Sequence, residues 1–136
     1  MFHYKKLFSN SLQSFSVNRD TTMSRAESWM KIREQLRDAC KVVGGEWDER
    51  FSRCIVLKGV EVRFVWPDFS FLEVVQEDEE EQRKLRILLS TDDIRKIEGI
   101  KGGIFDEEHI PSNIGIYTKH GSEIHVEETG NITVWE

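Results

Sequence analysis

Four side chains near the C-terminus, Tyr117, Glu123, His125 and Trp135, are the candidate binding residues of this chain. Glu123 and His125 form a Glu-x-His pair, and imidazole nitrogen with carboxylate oxygen is a good donor set for a divalent cation. Exposed aromatic rings beside a His and a carboxylate also suit a protein- or ligand-binding face. A second cluster, Asp106-Glu107-Glu108-His109, could collect a cation, but such runs more often start helices or face water. A third, Pro67-Asp68 with Glu73, begins the PD-(D/E)xK pattern of metal-dependent nucleases. There a Lys two residues beyond the second acid helps orient or activate the attacking water. Here Val74-Val75 follow Glu73, so the catalytic cation is missing. No Walker A, HExxH, GxSxG, EF-hand loop or GxGxxG after a strand is present.

Placing the first cluster requires the register of the last strands. Ile114 and Ile116, Ile124 and Val126, and Ile132 and Val134 each alternate with other residues, so each pair shares one face of a strand. A two-residue loop at His120-Gly121 would set Ile116 opposite His125. A three-residue loop, Lys119-His120-Gly121, sets Ile116 opposite Ile124 and Ile114 opposite Val126. Glu128-Thr129-Gly130 likewise sets Val126 opposite Ile132 and Ile124 opposite Val134. Both loops then end in Gly, as a three-residue hairpin with a left-handed last residue prefers. This register puts Tyr117, Glu123 and Trp135 side by side on the outer face, with His125 between Gly115 and Thr133. The run from Gly115 to Val134 resembles the strand-turn-strand repeats of phage baseplate and tail-spike proteins. The matching positions are those any hairpin shares, and no function is carried over from it.

Upstream, Trp29, Ile32, Leu36, Ala39, Cys40 and Val43 recur at spacings of three and four, the stripe of an amphipathic helix. The spacing predicts a helix from about Arg25 to Val43, capped by the Ser24-x-x-Glu27 box and stopped at Gly44-Gly45. Strands are expected over Phe51 to Leu57 and Val60 to Trp66, joined by Lys58-Gly59, with Leu57 opposite Val60 and Ile55 opposite Val62. Further strands are expected over Phe69 to Gln76 and Lys84 to Ser90. The carboxylate block 77–83 cannot be buried and reads as a solvated loop between them. Ser90-Thr91-Asp92-Asp93 offers a cap and acidic first turn for a short helix through about Glu98. Residues 99–113 read as a loop.

The expected fold is therefore α+β: a long N-terminal helix packed on a mainly antiparallel sheet of about seven strands, with a second short helix. The helix is expected across the face carrying Ile114, Ile116, Ile124, Val126, Ile132 and Val134. The 136 residues suffice for one domain. Residues 23–136 are its expected extent. Residues 1–22, basic and acid-free until Asp20, read as a flexible extension or a mis-assigned start. A transit peptide, or an arm using Tyr4, Leu7, Phe8, Leu12 and Phe15, are the other readings.

Net charge is −6, and the first 22 residues hold a net +2, leaving −8 for the rest. A body that acidic repels phosphate backbones and favours a basic protein partner over nucleic acid. Abundant Glu, Lys, Arg and Ile with scarce Gln resembles thermophile usage. Cys40 and Cys54 lack CxxC spacing and are expected as two reduced, buried thiols, with a disulfide only in an oxidising compartment. No run is long and apolar enough to span a bilayer, so no membrane association is expected and the location is read as cytoplasmic. No cofactor is expected. The functional expectation is a small non-catalytic binding or accessory protein acting through a protein partner. The alternative is a metal-dependent hydrolase or nuclease using carboxylate and His ligands. Unpaired strand edges also make a homodimer credible.

Overall fold

The computed structural model describes residues 20–65 and 67–136, with side chains described from residue 28 onward. It contains helix α1 (Asp20–Val42), then β1 (Glu46–Asp48), β2 (Arg53–Leu57), β3 (Val60–Phe64), β4 (Phe71–Asp78) and β5 (Arg83–Ser90). After a 3-10 turn at Thr91–Asp93 come β6 (Ile94–Ile100), β7 (Gly103–Phe105), β8 (Glu108–Ile110), β9 (Asn113–Thr118), β10 (Glu123–Glu127) and β11 (Ile132–Trp135). The class is α+β with antiparallel sheets throughout. Among the described residues, eleven strands in three sheets replace the seven or so expected. The first sheet is a meander in the order β1-β2-β3-β4-β5, and the second runs β11-β10-β9-β6. The β7–β8 hairpin is inserted in the connection between β6 and β9.

The expected stripe of α1 is its buried side. Ile32, Leu36, Ala39, Cys40 and Val43 are buried, and Trp29 is partly so. Gly44, at φ +71°, ends the helix, and Gly45 N–H donates to Cys40 O at 2.9 Å, which satisfies a carbonyl the helix itself leaves open. The helix begins at Asp20 and not at Arg25, so Ser24 lies inside it and is not its cap. Residues 1–19 and Trp66 lie outside the described residues, and so do the readings placed on them.

The helix packs on β6 and β9 of the second sheet and on β1 and β2 of the first. Of the six aliphatics of the C-terminal strands, Ile114, Ile116, Ile124, Val126 and Ile132 are buried and Val134 partly so. Val60, Val62, Phe64, Leu72, Val74, Leu85, Ile87 and Leu89 from the first sheet join them in one cluster. Gln76 Nε2 donates to Gly130 O at 2.8 Å and ties the two sheets at their turns.

Three expectations are corrected. The helix expected through Glu98 is the 3-10 turn followed by β6, because a bulge at Arg95 spaces the inward residues Ile94 and Ile97 three apart. The loop expected over 99–113 contains the β7–β8 hairpin. In β2, Leu57 meets Val60 as expected, but a bulge at Val56 sets Ile55 opposite Glu61 and Cys54 opposite Val62. Cys54 thereby faces inward, and it forms a disulfide with Cys40 across a Cα–Cα distance of 5.6 Å, where two reduced thiols were expected.

Candidate functional site

The C-terminal register is the one the alternation requires. Ile116 pairs with Ile124, Ile114 with Val126, Val126 with Ile132 and Ile124 with Val134. Gly121 and Gly130 close the two three-residue loops at φ +97° and +93°, which side-chain-bearing residues rarely adopt. The outer face of the second sheet is consequently organised in rows that cross all four strands. The first row is Trp135, Glu123, Tyr117 and Lys96. The second is Thr133, His125, Gly115 and Glu98. The structure thus brings together all four residues singled out in the sequence.

Tyr117 is the best-held of them. The bulge in β6 places both Arg95 and Lys96 against its ring, at 5.7 and 5.0 Å from the centroid. Its ring lies back over Gly115, where a Cβ would come within 2.8 Å of the phenol oxygen. From there the hydroxyl donates to Glu98. Partial burial, then the negative charges of Glu98 and Glu123 and the bond to Glu98, raise the Tyr117 pKa above its ordinary value of 10.0. The imidazole of His125 stands edge-on to Tyr117 at 5.9 Å between centroids. Its ring nitrogens lie 2.9 Å from Asn113 Oδ1 and 3.2 Å from Glu123 Oε1. Trp135 ends the row on the edge strand and is 63% exposed. The face is an open surface in which Tyr117 and His125 are held by their neighbours.

Asn113, Glu98, Arg95 and Lys96 belong to this face and were missed in the sequence. Asn113 is the outward residue opposite Glu127. The other three sit on the strand that read as a helix. As a metal centre the face offers His125 and Glu123, two ligands. No group of three or more His, Cys, Asp or Glu disposed to hold a metal occurs among the described residues.

Neither of the other two clusters gathers three metal ligands among the described residues. Asp106 and Glu107, at φ 50° and 68°, form the exposed two-residue turn between β7 and β8. Asp68 Oδ1 accepts the Ser70 N–H at 3.2 Å, and backbone and side-chain bonds from Ser70 lower its pKa. Glu73 is buried and held by Arg63 and Arg86. The carboxylate block 77–83 forms the solvated end of the β4–β5 hairpin, as expected, and lines an open cleft with Lys58, Thr129 and Gly130.

Comparison with family models, curated proteins and solved structures finds no match for this chain. No helix is long and apolar enough to cross a membrane among the described residues.

Proposed function

We propose that this chain is a non-catalytic binding or accessory protein that engages a protein partner through the outer face of its second sheet. One observation carries the reading: an exposed indole ends a cross-strand row whose other aromatic ring is fixed by two cations and a carboxylate. Aromatic side chains held in place lose little entropy on contact and dominate the energetics of protein interfaces. Trp135, Tyr117, His125 and Glu123 are the contact residues of this reading. The net charge of −6 favours a basic partner.

The test is capture from the native host, with mass spectrometry, using wild type beside Trp135→Ala and Tyr117→Ala. A partner held by wild type and lost by both variants, at unchanged melting temperature, supports the reading. Equal recovery by all three sinks it. A stoichiometric divalent ion in the purified protein, lost in His125→Ala, would favour the hydrolase alternative instead.

For location our reading is the cytoplasm. A buried disulfide there fits the interior of a thermophile, and the Lys-, Glu- and Ile-rich composition agrees. Thiol alkylation before lysis reads the bond directly. Two alkylated cysteines in the native protein would agree with a reducing interior, and a bond intact before lysis in a mesophilic host would overturn the cytoplasmic reading.

A further inference from the structure

The β7–β8 hairpin is an arm. Its strands pack chiefly on each other, and a lone two-stranded hairpin is marginal in water. Its base is nonetheless pinned. Gly102 N–H donates to Ser112 Oγ at 2.8 Å. A Cβ on Gly102 would collide with the Ile110 carbonyl, so only glycine lets the two ends of the arm meet. The arm presents Ile104, Phe105 and Ile110 to water, 76%, 56% and 44% exposed. Its carboxylates Asp106, Glu107 and Glu108 form no ion pair among the described residues. Asp48, Glu61 and Glu77 of the first sheet, by contrast, are paired.

A surface of matching chemistry lies on the same chain. The first row of the second sheet offers Trp135 and Tyr117 to apolar side chains. At its β6 end Arg95 is exposed, rests on Tyr117 and has no carboxylate partner among the described residues. The arm leaves β6 at Ile100, and the row crosses that same strand at Lys96. Phe105 and Trp135 are both exposed, so neither ring is covered within one chain.

We propose that the arm docks on this row in a second copy of the chain, reciprocally, across a two-fold axis. Phe105 and Ile104 cover Tyr117 and Trp135, and the carboxylates of the turn meet Arg95. Apolar and anionic groups on the arm match the aromatic rings and the Arg95 cation of the sheet, whose own carboxylates Glu98 and Glu123 already contact Lys96 and His125. Two-fold symmetry makes that contact twice. The inference rests on the reading of this face as a protein-binding surface and adds its regulation: self-association covers the row that another partner would use.

Sedimentation velocity of the full chain from micromolar to millimolar concentration tests it. The expected result is a concentration-dependent dimer, lost in Phe105→Ser and in Trp135→Ser while both keep the wild-type melting temperature. Asp106→Arg and Arg95→Asp are each expected to weaken the dimer about tenfold, and together to restore it. A chain that stays monomeric throughout, a dimer indifferent to Phe105→Ser and Trp135→Ser, or a charge swap that restores nothing overturns the proposal. A monomer that still loses its captured partner on Trp135→Ala overturns self-association alone. A dimer made through the arm, with capture indifferent to Trp135→Ala, overturns the functional reading alone.

Discussion

Glu73 carries one of the metal-ligand positions that the sequence suggested, and its surroundings assign it to the scaffold. Arg63 Nε donates to Glu73 Oε1 at 2.5 Å, and Arg86 Nε donates to Oε2. Arg63 also reaches Glu61 at 3.2 Å, Glu61 reaches Arg53 at 3.2 Å, and Arg53 reaches Asp48 at 2.9 Å. Alternating charges therefore run across all five strands of the first sheet. Burial alone would raise the Glu73 pKa. The hydrogen bonds and charges of the two guanidinium groups outweigh it and hold the carboxyl below its ordinary 4.5. A carboxylate whose folded pKa is depressed contributes stability above its unfolded value. That contribution is lost as pH falls through the folded one. Glu73→Gln is thus expected to cost roughly 1–3 kcal/mol near neutral pH. It should also flatten the loss of stability expected of wild type as pH falls below 4.5. Urea denaturation at neutral and acid pH measures both, and equal losses for the two proteins in acid would dissociate Glu73 from the acid limb. The sequence could not show this pairing. Arg63 and Arg86 stand ten and thirteen residues away, and only the registers of three strands bring them to one carboxylate.

The strand β6 shows where a one-dimensional pattern fails. Ile94 and Ile97 are spaced as on a helix, and Ser90-Thr91-Asp92-Asp93 has the composition of a helix start. A bulge of one residue produces the same spacing in a strand and lends both Arg95 and Lys96 to the outer face. The closing hairpins were legible because strict alternation allows only one loop length that keeps every branched aliphatic on the same side. Legibility of the candidate face largely followed that division: Asn113 apart, the residues on β9 to β11 were found, and those on β6 were not. What fixes β6 in place is contact with the helix. Ile97 N–H donates to Gln35 Oε1 at 2.8 Å, so the outer edge of the sheet is partly sealed by a side chain of α1. One turn further along, a Cβ on Gly99 would lie 2.7 Å from Val42 Cγ2 and 2.9 Å from Ala39 Cα. Gly99→Ala must push the helix from the strand, at an expected cost of about 1–3 kcal/mol. The midpoint of urea unfolding checks it, and an unchanged midpoint would mean that α1 yields freely at this contact. Leu36, fully buried on the same helix, tests the docking more severely: Leu36→Asp is expected to unfold the domain, seen as loss of the cooperative transition.

At the scale of the whole molecule, the connections of both sheets join neighbouring strands, so most of the fold is built from local hairpins. The helix is the exception. It is the element that must span two sheets, and sequence periodicity fixes which side it buries without fixing what it is buried against. Its partners were therefore expected on one sheet and lie on both. The disulfide follows from the same contact. Cys40 on the stripe of α1 meets Cys54 because the bulge in β2 turns that residue inward. Neither condition could be read from two cysteines fourteen residues apart. The bond joins the end of α1 to the first sheet, and Gly45 packs so closely that a Cβ there would lie 3.0 and 3.1 Å from the two sulfurs. Closing a loop of that length removes chain entropy from the unfolded state worth about 3 kcal/mol. Reduction, or Cys40→Ser with Cys54→Ser, is expected to lower stability by about that amount and to leave the strand content intact. The helix still has Leu36, Ala39 and Val43 to hold it once the bond is gone. Urea unfolding with and without reductant, read by circular dichroism, separates the two effects. A reduced chain that unfolds at the oxidised midpoint would show that packing alone determines where α1 sits.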